Sequence, residues 1–285
     1  MTFRLSNKLP NQSRSIPEKR EAKRKYFFVL EGEKTEHIYI REIAQNVKED
    51  SIIDVLILER IQGAHSNQYK ITSSIQNYLA KNAKLDDKIK DQLVNLCNEY
   101  EEEKISEVDL IDALDDILGD MKDSFITDYN NNVIEQIRVL TELNTYEEDY
   151  DRICLILDRD YRSFKDFQYD QVLKICEENN FLLGITNPNF EFYLLLHIND
   201  AKQYDKSKLL ENPRVSRNKK FVEDELNKAL KSFGENYKKA KFNANFFVEK
   251  FPEFLNHIEE GYATDNKALK TELGSSVHHI IAQII

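Results

Sequence analysis

The chain of 285 residues is 41% hydrophobic and 32% charged, with a formal net charge of −11 at pH 7. This composition excludes a disordered chain and leaves room for one large domain or two small ones. No apolar run approaches the ~20 residues that cross a bilayer, so no membrane-spanning helix is expected.

The acidic total counts against a nucleic-acid partner, but the charge is unevenly placed. Residues 1–25 are basic, as are the runs Arg214, Arg217, Lys219, Lys220 and Lys238, Lys239, Lys241. Acids are dense between Asp86 and Asp160. Phosphate binding needs a local basic patch rather than a basic whole. The alternative is that these cations only cover solvated helix faces. Cys97, Cys154 and Cys176 are scattered without a CxxC pair. That predicts a reducing, cytoplasmic setting and neither a zinc site nor a disulfide framework.

In chain order, residues 1–24 contain Pro10 and Pro17 and little apolar material. They read as a mobile basic arm, with no apolar segment of a secretory signal. Tyr26 to Leu30 is a continuous apolar run, predicted as a buried parallel strand. It ends in Glu31-Gly32-Glu33-Lys34-Thr35-Glu36. A helix is expected over about Thr35 to Val47, with Ile38, Tyr39, Ile43 and Val47 on one side, then a strand over Ile52 to Leu58. From 67 to 146 the pattern is helical and acid-rich, with one glycine, Gly119. It is expected to be an exposed helical insertion rather than core. Ile153 to Leu157 is the next buried strand, ending in Asp158-Arg159-Asp160. A helix over Phe167 to Asn179 and a strand over Phe181 to Ile185 follow. The turn Thr186-Asn187-Pro188-Asn189 then feeds an apolar helix, Phe190 to His197. Residues 201–285 read as mostly helical, closing with a helix near Gly274 to Ile281. Alternating strands and helices predict an α/β fold around a parallel sheet, its core made of 25–66 and 147–200.

In such sheets, ligands bind at the carboxyl ends of the strands. Glu31, Asp158 and Asp160 all stand at strand ends and should meet at one edge. Three carboxylates repel one another unless a cation lies between them, and an oxygen-rich set suits Mg2+ or Mn2+. Lys34, beside the acidic turn, is a candidate phosphate contact, and His197 a candidate proton shuttle. Each has a plainer alternative. Glu31 and Glu191 could favour helix N-termini, where negative charge is stabilised. Asp158 and Asp160 could be a loop pair, and His197 a packed helix residue. His278-His279 reads as a surface pair.

The strand-end acids Glu31, Asp158 and Asp160 resemble the Toprim catalytic centre. The match is closer to the RloB-like family, which includes the second component of the AbiL phage-defence system. Four stretches carry it: Phe28 to Glu36, Leu157 to Asp160, Thr186 to His197, and Gly274-Ser275-Ser276. Asn-Pro-x-Phe-Glu before an apolar helix is the most specific, since no general physics demands it. The resemblance implies a Toprim-like Rossmannoid fold and a Mg2+-dependent nuclease acting on DNA, tRNA or other RNA. It implies a toxic effector controlled by an ABC or SMC-like ATPase partner, and leaves a homodimer open. Glu31, Asp158 and Asp160 match the family's metal-binding acids; Glu36 and Glu191 match further motif acids. The separation of Glu31 from Asp158 is large for a Toprim core, which is why 67–146 reads as an insertion.

Two other readings compete. A catalytically silent Toprim assembly subunit would keep the same fold. A haloacid-dehalogenase-like phosphatase also has a strand ending in Asp-x-Asp, but here Tyr161-Arg162 follow where a small or β-branched residue and a Gly-rich turn belong. A P-loop enzyme is excluded by the lack of G-x-x-x-x-G-K-[ST].

Overall fold

The structure is a computed structural model that describes residues 23–32, 34–47, 53–58, 68–119 and 133–285. Residues 1–22 of the expected arm and the segment around Gly63 lie outside the described residues. The chain opens with β1 (Arg24–Leu30), α1 (Thr35–Asn46) and β2 (Ile53–Leu58). Helices α2 (Gln68–Asn82), α3 (Asp87–Glu101), α4 (Glu107–Leu118) and α5 (Val133–Glu142) lead to β3 (Arg152–Asp158). Next come α6 (Asp166–Glu178), β4 (Leu182–Asn187) and α7 (Phe190–Leu196). The rest runs α8 (Lys206–Glu211), α9 (Phe221–Leu230), β5 (Tyr237–Lys238), β6 (Lys241–Phe242), α10 (Ala244–Glu249), α11 (Phe251–Glu259), β7 (Gly274–Ser275) and α12 (His278–Ile281).

The main sheet has the order β2-β1-β3-β4-β7. The first four strands are parallel and β7 is antiparallel to β4. This is a Rossmann-like α/β fold. The chain leaves β1 for β2 on one side, then returns across to β3 on the other. Right-handed crossovers in opposite directions put their helices on opposite faces. Alternation along β1 shows this directly. Tyr26, Phe28 and Leu30 share one core with Tyr39, Ile40 and Ile43 of α1. Phe27 and Val29 share the other with Ile71, Ile75 and Tyr78 of α2. Between β1 and β3 the strand order reverses, which opens a crevice at their carboxyl ends.

Among the described residues, 68–119 and 133–151 hold helices and no strand. The expectation that this region is exposed rather than core is corrected. Leu93, Leu96 and Cys97 of α3 and Leu110, Leu114 and Leu118 of α4 are buried in one cluster with Leu155 and Leu157 of β3. Acid content reports only the outer face of an amphipathic helix; the spacing of the apolar residues decides what it covers. Local signals set the ends. Asp86 accepts the Ile89 amide at 2.9 Å and caps α3. Ser106 and Asp109 form a capping box on α4, which stops at Gly119 with φ 51°.

The Gly274-Ser275-Ser276 stretch stitches the far edge of the sheet rather than opening a helix. Gly274 pairs with Asn187, and Ser275 Oγ lies 2.9 Å from Thr186 Oγ1. The Ile185 amide donates to Ser276 Oγ at 2.8 Å. A Cβ on Gly274 would overlap the Ala263 backbone, so only glycine fits there. His278 is buried and His279 exposed, which corrects the surface reading for the first of the pair. All three cysteines are free and buried. Among the described residues no helix is long and apolar enough to cross a membrane.

Candidate active site at the carboxyl edge of the sheet

The β1–β3 ladder ends in side chains. The Glu31 amide still donates to Ile156 O at 3.0 Å. One residue pair further, the Glu31 carboxylate takes over as partner, accepting the Asp158 amide through Oε2 at 2.7 Å. Gln68, the first residue of α2, bridges the two. Its Nε2 donates to Glu31 Oε1 and to Asp158 O, both at 3.0 Å. So Glu31 and Asp158 share one edge, as the strand ends predict, and Asp160 lines the same cleft. Gln68 belongs to the region expected to be an exposed helical insertion; instead it holds the two acids together.

Burial pushes the Glu31 carboxyl up to about 8, with Glu36 and Asp160 adding repulsion; the bonds from the Asp158 amide and Gln68 oppose it. Burial also raises Asp158 well above the usual carboxylate range, followed by repulsion from Glu31, Glu36 and Glu191, with Lys239 opposing. Among the described residues none donates a hydrogen bond to the Asp158 carboxyl group.

Glu36 and Glu191 form the next layer. Glu36 is buried on the first turn of α1, and a Cβ on Gly32 would overlap its carboxylate. Glycine therefore lets the acidic turn close over α1. Glu191, buried in the first turn of α7, accepts Tyr237 Oη at 2.9 Å and bonds Asn189 Nδ2 through its other oxygen. Tyr237 Oη also meets Thr35 Oγ1 at 2.8 Å, tying the β5–β6 hairpin to the β1–α1 turn. Lys239 of that hairpin places Nζ 3.5 Å from Glu191 Oε1. The Glu191 charge holds the Lys239 ammonium up.

Arg159, between the two aspartates, turns to the opposite side and is fully buried. Nε donates to Lys270 O at 2.9 Å, Nη1 to Phe164 O at 2.5 Å and Nη2 to Asp166 Oδ1 at 2.6 Å. This fixes the loop that presents Asp158 and Asp160. Asp160 Oδ1 in turn accepts the Arg162 amide at 3.0 Å.

These acids floor a cleft of about 540 Å3, and Arg162, Arg214, Lys220 and Lys239 also line it. Arg214 and Lys220 face each other across a tight loop, in which Phe221 N donates to Pro213 O at 2.8 Å. Of the basic run over 214–220, Arg214 and Lys220 are thus part of the cleft wall, while Arg217 is exposed and outside it. Two expected site residues fall elsewhere. Lys34 is exposed at the start of α1 and does not line the cleft. His197 is fully buried, with Nε2 3.1 Å from Tyr39 Oη and Nδ1 2.9 Å from Tyr193 O. Burial holds its pKa down to about 3, so it is a neutral packing residue and not a proton shuttle. Lys239 takes the cationic place expected for Lys34. Gln68, Tyr237 and Asn189 carry no signal that local sequence could expose.

The donor chemistry fits a hard divalent cation. Glu31, Asp158 and Asp160 supply carboxylate oxygens, and among the described residues the buried Gln68 Oε1 and Asn189 Oδ1 have no hydrogen-bond partner. Among the described residues no three His, Cys, Asp or Glu side chains stand close enough to close on one ion. The three acids expected to share one ion therefore do not close on it as placed: Glu31 and Asp158 share the edge, and Asp160 lines the cleft beside them.

The charge arrangement makes stability pH-dependent. Folded Glu31 keeps its proton up to about pH 8; its ordinary value is 4.5. Between these values the folded chain holds more protons than the unfolded one, so stability falls as pH rises through the window. In thermal unfolding without metal, Tm should drop from pH 5 to pH 8. Added Mn2+ should raise Tm more at pH 8 than at pH 5, since it competes with the proton. A Tm that climbs over this range, or a larger Mn2+ effect at pH 5, would contradict the arrangement.

A family model described as RloB-like protein matches residues 26–284. Neither a curated protein nor a solved structure matches the chain.

Proposed function

The chain belongs to the RloB-like family, and from that premise we propose that it is a divalent-metal-dependent hydrolase of nucleic-acid phosphodiester bonds. In this reading it is the toxic effector of a phage-defence system, held in check by an ABC-type ATPase and carrying a Toprim-like centre. The single observation behind the chemistry is the cleft itself. Acids from β1 and β3 floor it, and cations from three separate segments wall it. The ATPase partner and the defence role rest on the family resemblance alone.

Glu31 and Asp158, with Asp160 beside them, would hold the cation. When bound, it would polarise the phosphodiester and neutralise charge on the leaving oxygen. Lys239 puts an ammonium beside the acids, where it can take a phosphate oxygen. Arg162, Arg214 and Lys220 would hold the strand on either side. Tyr237, Asn189 and Thr35 keep Glu191 and the acidic turn in place, so the floor does not rearrange as charge develops.

A second reading has one observation in its favour. The Glu31 carboxylate completes the β1–β3 ladder at the Asp158 amide. A catalytically silent assembly subunit would keep that contact. Cleavage of end-labelled RNA and DNA by the chain together with its ATPase partner separates the two. Cleavage with Mg2+ or Mn2+, lost with EDTA, is expected. No cleavage under any of these conditions favours the silent subunit.

A further inference from the structure

Tyr161 is one of the few large apolar side chains left open to solvent, at 40% exposure, and it lines the cleft next to Asp160. An exposed aromatic ring is usually mobile. This one is held at two points. The Arg159 guanidinium lies 4.1 Å from the ring centroid, and Asn187 Nδ2 donates to Tyr161 Oη at 3.1 Å. Both anchors are themselves buried and bonded: the two Nδ2 protons of Asn187 are shared among Tyr161 Oη, Leu269 O at 3.0 Å and Glu272 O at 2.9 Å. The ring is therefore presented to the cleft in a set orientation, with its ordering entropy already lost on folding.

In the same cleft, Arg162, Arg214 and Lys220 form no ion pair among the described residues. Unpaired cations that track a groove, beside a fixed aromatic face, are the two parts of a single-strand binding site. The cations take the phosphates and the ring stacks a base. A base inside a duplex already stacks on its neighbours and cannot use the ring.

Resting on the hydrolase reading above, we infer that Tyr161 is a base-stacking platform and that the strand entering the cleft is single-stranded. The substrate would be a single-stranded or looped segment whose unpaired base lies on Tyr161 while its phosphate reaches the acids. Duplexes would enter only where they are melted or bulged.

The test measures binding apart from cleavage. Full-length Asp158→Asn protein is titrated against fluorescent 12-mers of single-stranded RNA, single-stranded DNA and duplex, read by anisotropy. Single strands should bind at least ~10-fold tighter than duplex. Tyr161→Leu, which keeps the apolar bulk but removes the π face, should weaken single-strand binding by roughly 10-fold, the scale of one lost stack. Tyr161→Phe should stay within about 3-fold of the parent, and duplex binding should hardly change in either variant. Because Leu also takes a ring away from Arg159, each variant is titrated well below its own unfolding transition, and its duplex binding reports any loss of fold. Equal binding of duplex and single strand overturns the inference, as does a Leu variant that binds like Phe. Cleavage by the wild-type chain together with its ATPase partner and Mn2+ is followed in parallel. Cleavage without strand preference sinks only this inference. Absent cleavage with preserved stacking sinks only the hydrolase reading.

Discussion

Replacing Asp158 by asparagine should lower metal-dependent cleavage by at least ~100-fold, the scale of removing one preorganised charged group around a transition state. The fold should survive. Asp158 is tied to its neighbours through its backbone amide and carbonyl, which the substitution leaves alone. Its carboxyl is raised by burial and then by Glu31. The folded protein therefore holds a proton there that the unfolded chain releases. Asparagine removes that penalty, so metal-free Tm should hold at pH 5 and rise at pH 8, where the charged form is most costly. Mn2+ should then add less to Tm than it adds to wild type. The readouts are cleavage rate and Tm at both pH values, with and without Mn2+. Full cleavage by the variant would show that the acids are not catalytic and would favour the silent assembly subunit.

Much of this site was legible because it is local. A continuous apolar run ending in acid is a buried strand meeting the edge of its sheet, so Glu31 and Asp158 could be placed before any coordinates. What stayed hidden is carried by contacts of long sequence separation. Tyr237 and Lys239 reach Glu191 from a hairpin whose strands are two residues each, too short for periodicity to register. Gln68 stands at a helix start that looks like any other polar residue. β7 is Gly274-Ser275, a pair that reads as the start of the closing helix. The acid-rich helices misled because composition averages over both faces. His197 misled in the other way: a histidine near a motif invites catalysis, yet the all-buried α7 around it left no route to solvent. Arg159 was readable in principle. Alternation at a strand end sends the middle residue of Asp-x-Asp to the opposite face, but nothing local says that three acceptors wait there.

Those acceptors make Arg159 the most demanding side chain in the structure. It is the largest among the fully buried residues. Asp166, its ionic partner, is 72% exposed, so the ion pair itself contributes little. The weight falls on the carbonyls of Phe164 and Lys270 and on the Tyr161 and Tyr169 rings, whose centroids lie 4.1 and 5.0 Å from the guanidinium carbon. Arg159→Met should fill much of the volume yet leave both carbonyls without a donor. A destabilisation of about 3–5 kcal/mol is expected, the range for breaking a buried charged contact. In a chain of this size that lowers Tm by roughly 10 °C. Lysine should recover less than half, because one ammonium cannot bond in three fixed directions. The loss should be nearly the same at pH 6 and pH 9, since it comes from two carbonyls left without a donor, in contrast to the pH-dependent effect at Asp158. Cleavage at 20 °C should fall further than the folded fraction does, because the Asp158–Asp160 loop loses its anchor. Thermal unfolding at both pH values decides it. A methionine variant within 2 °C of wild type would mean that the loop holds its place without Arg159.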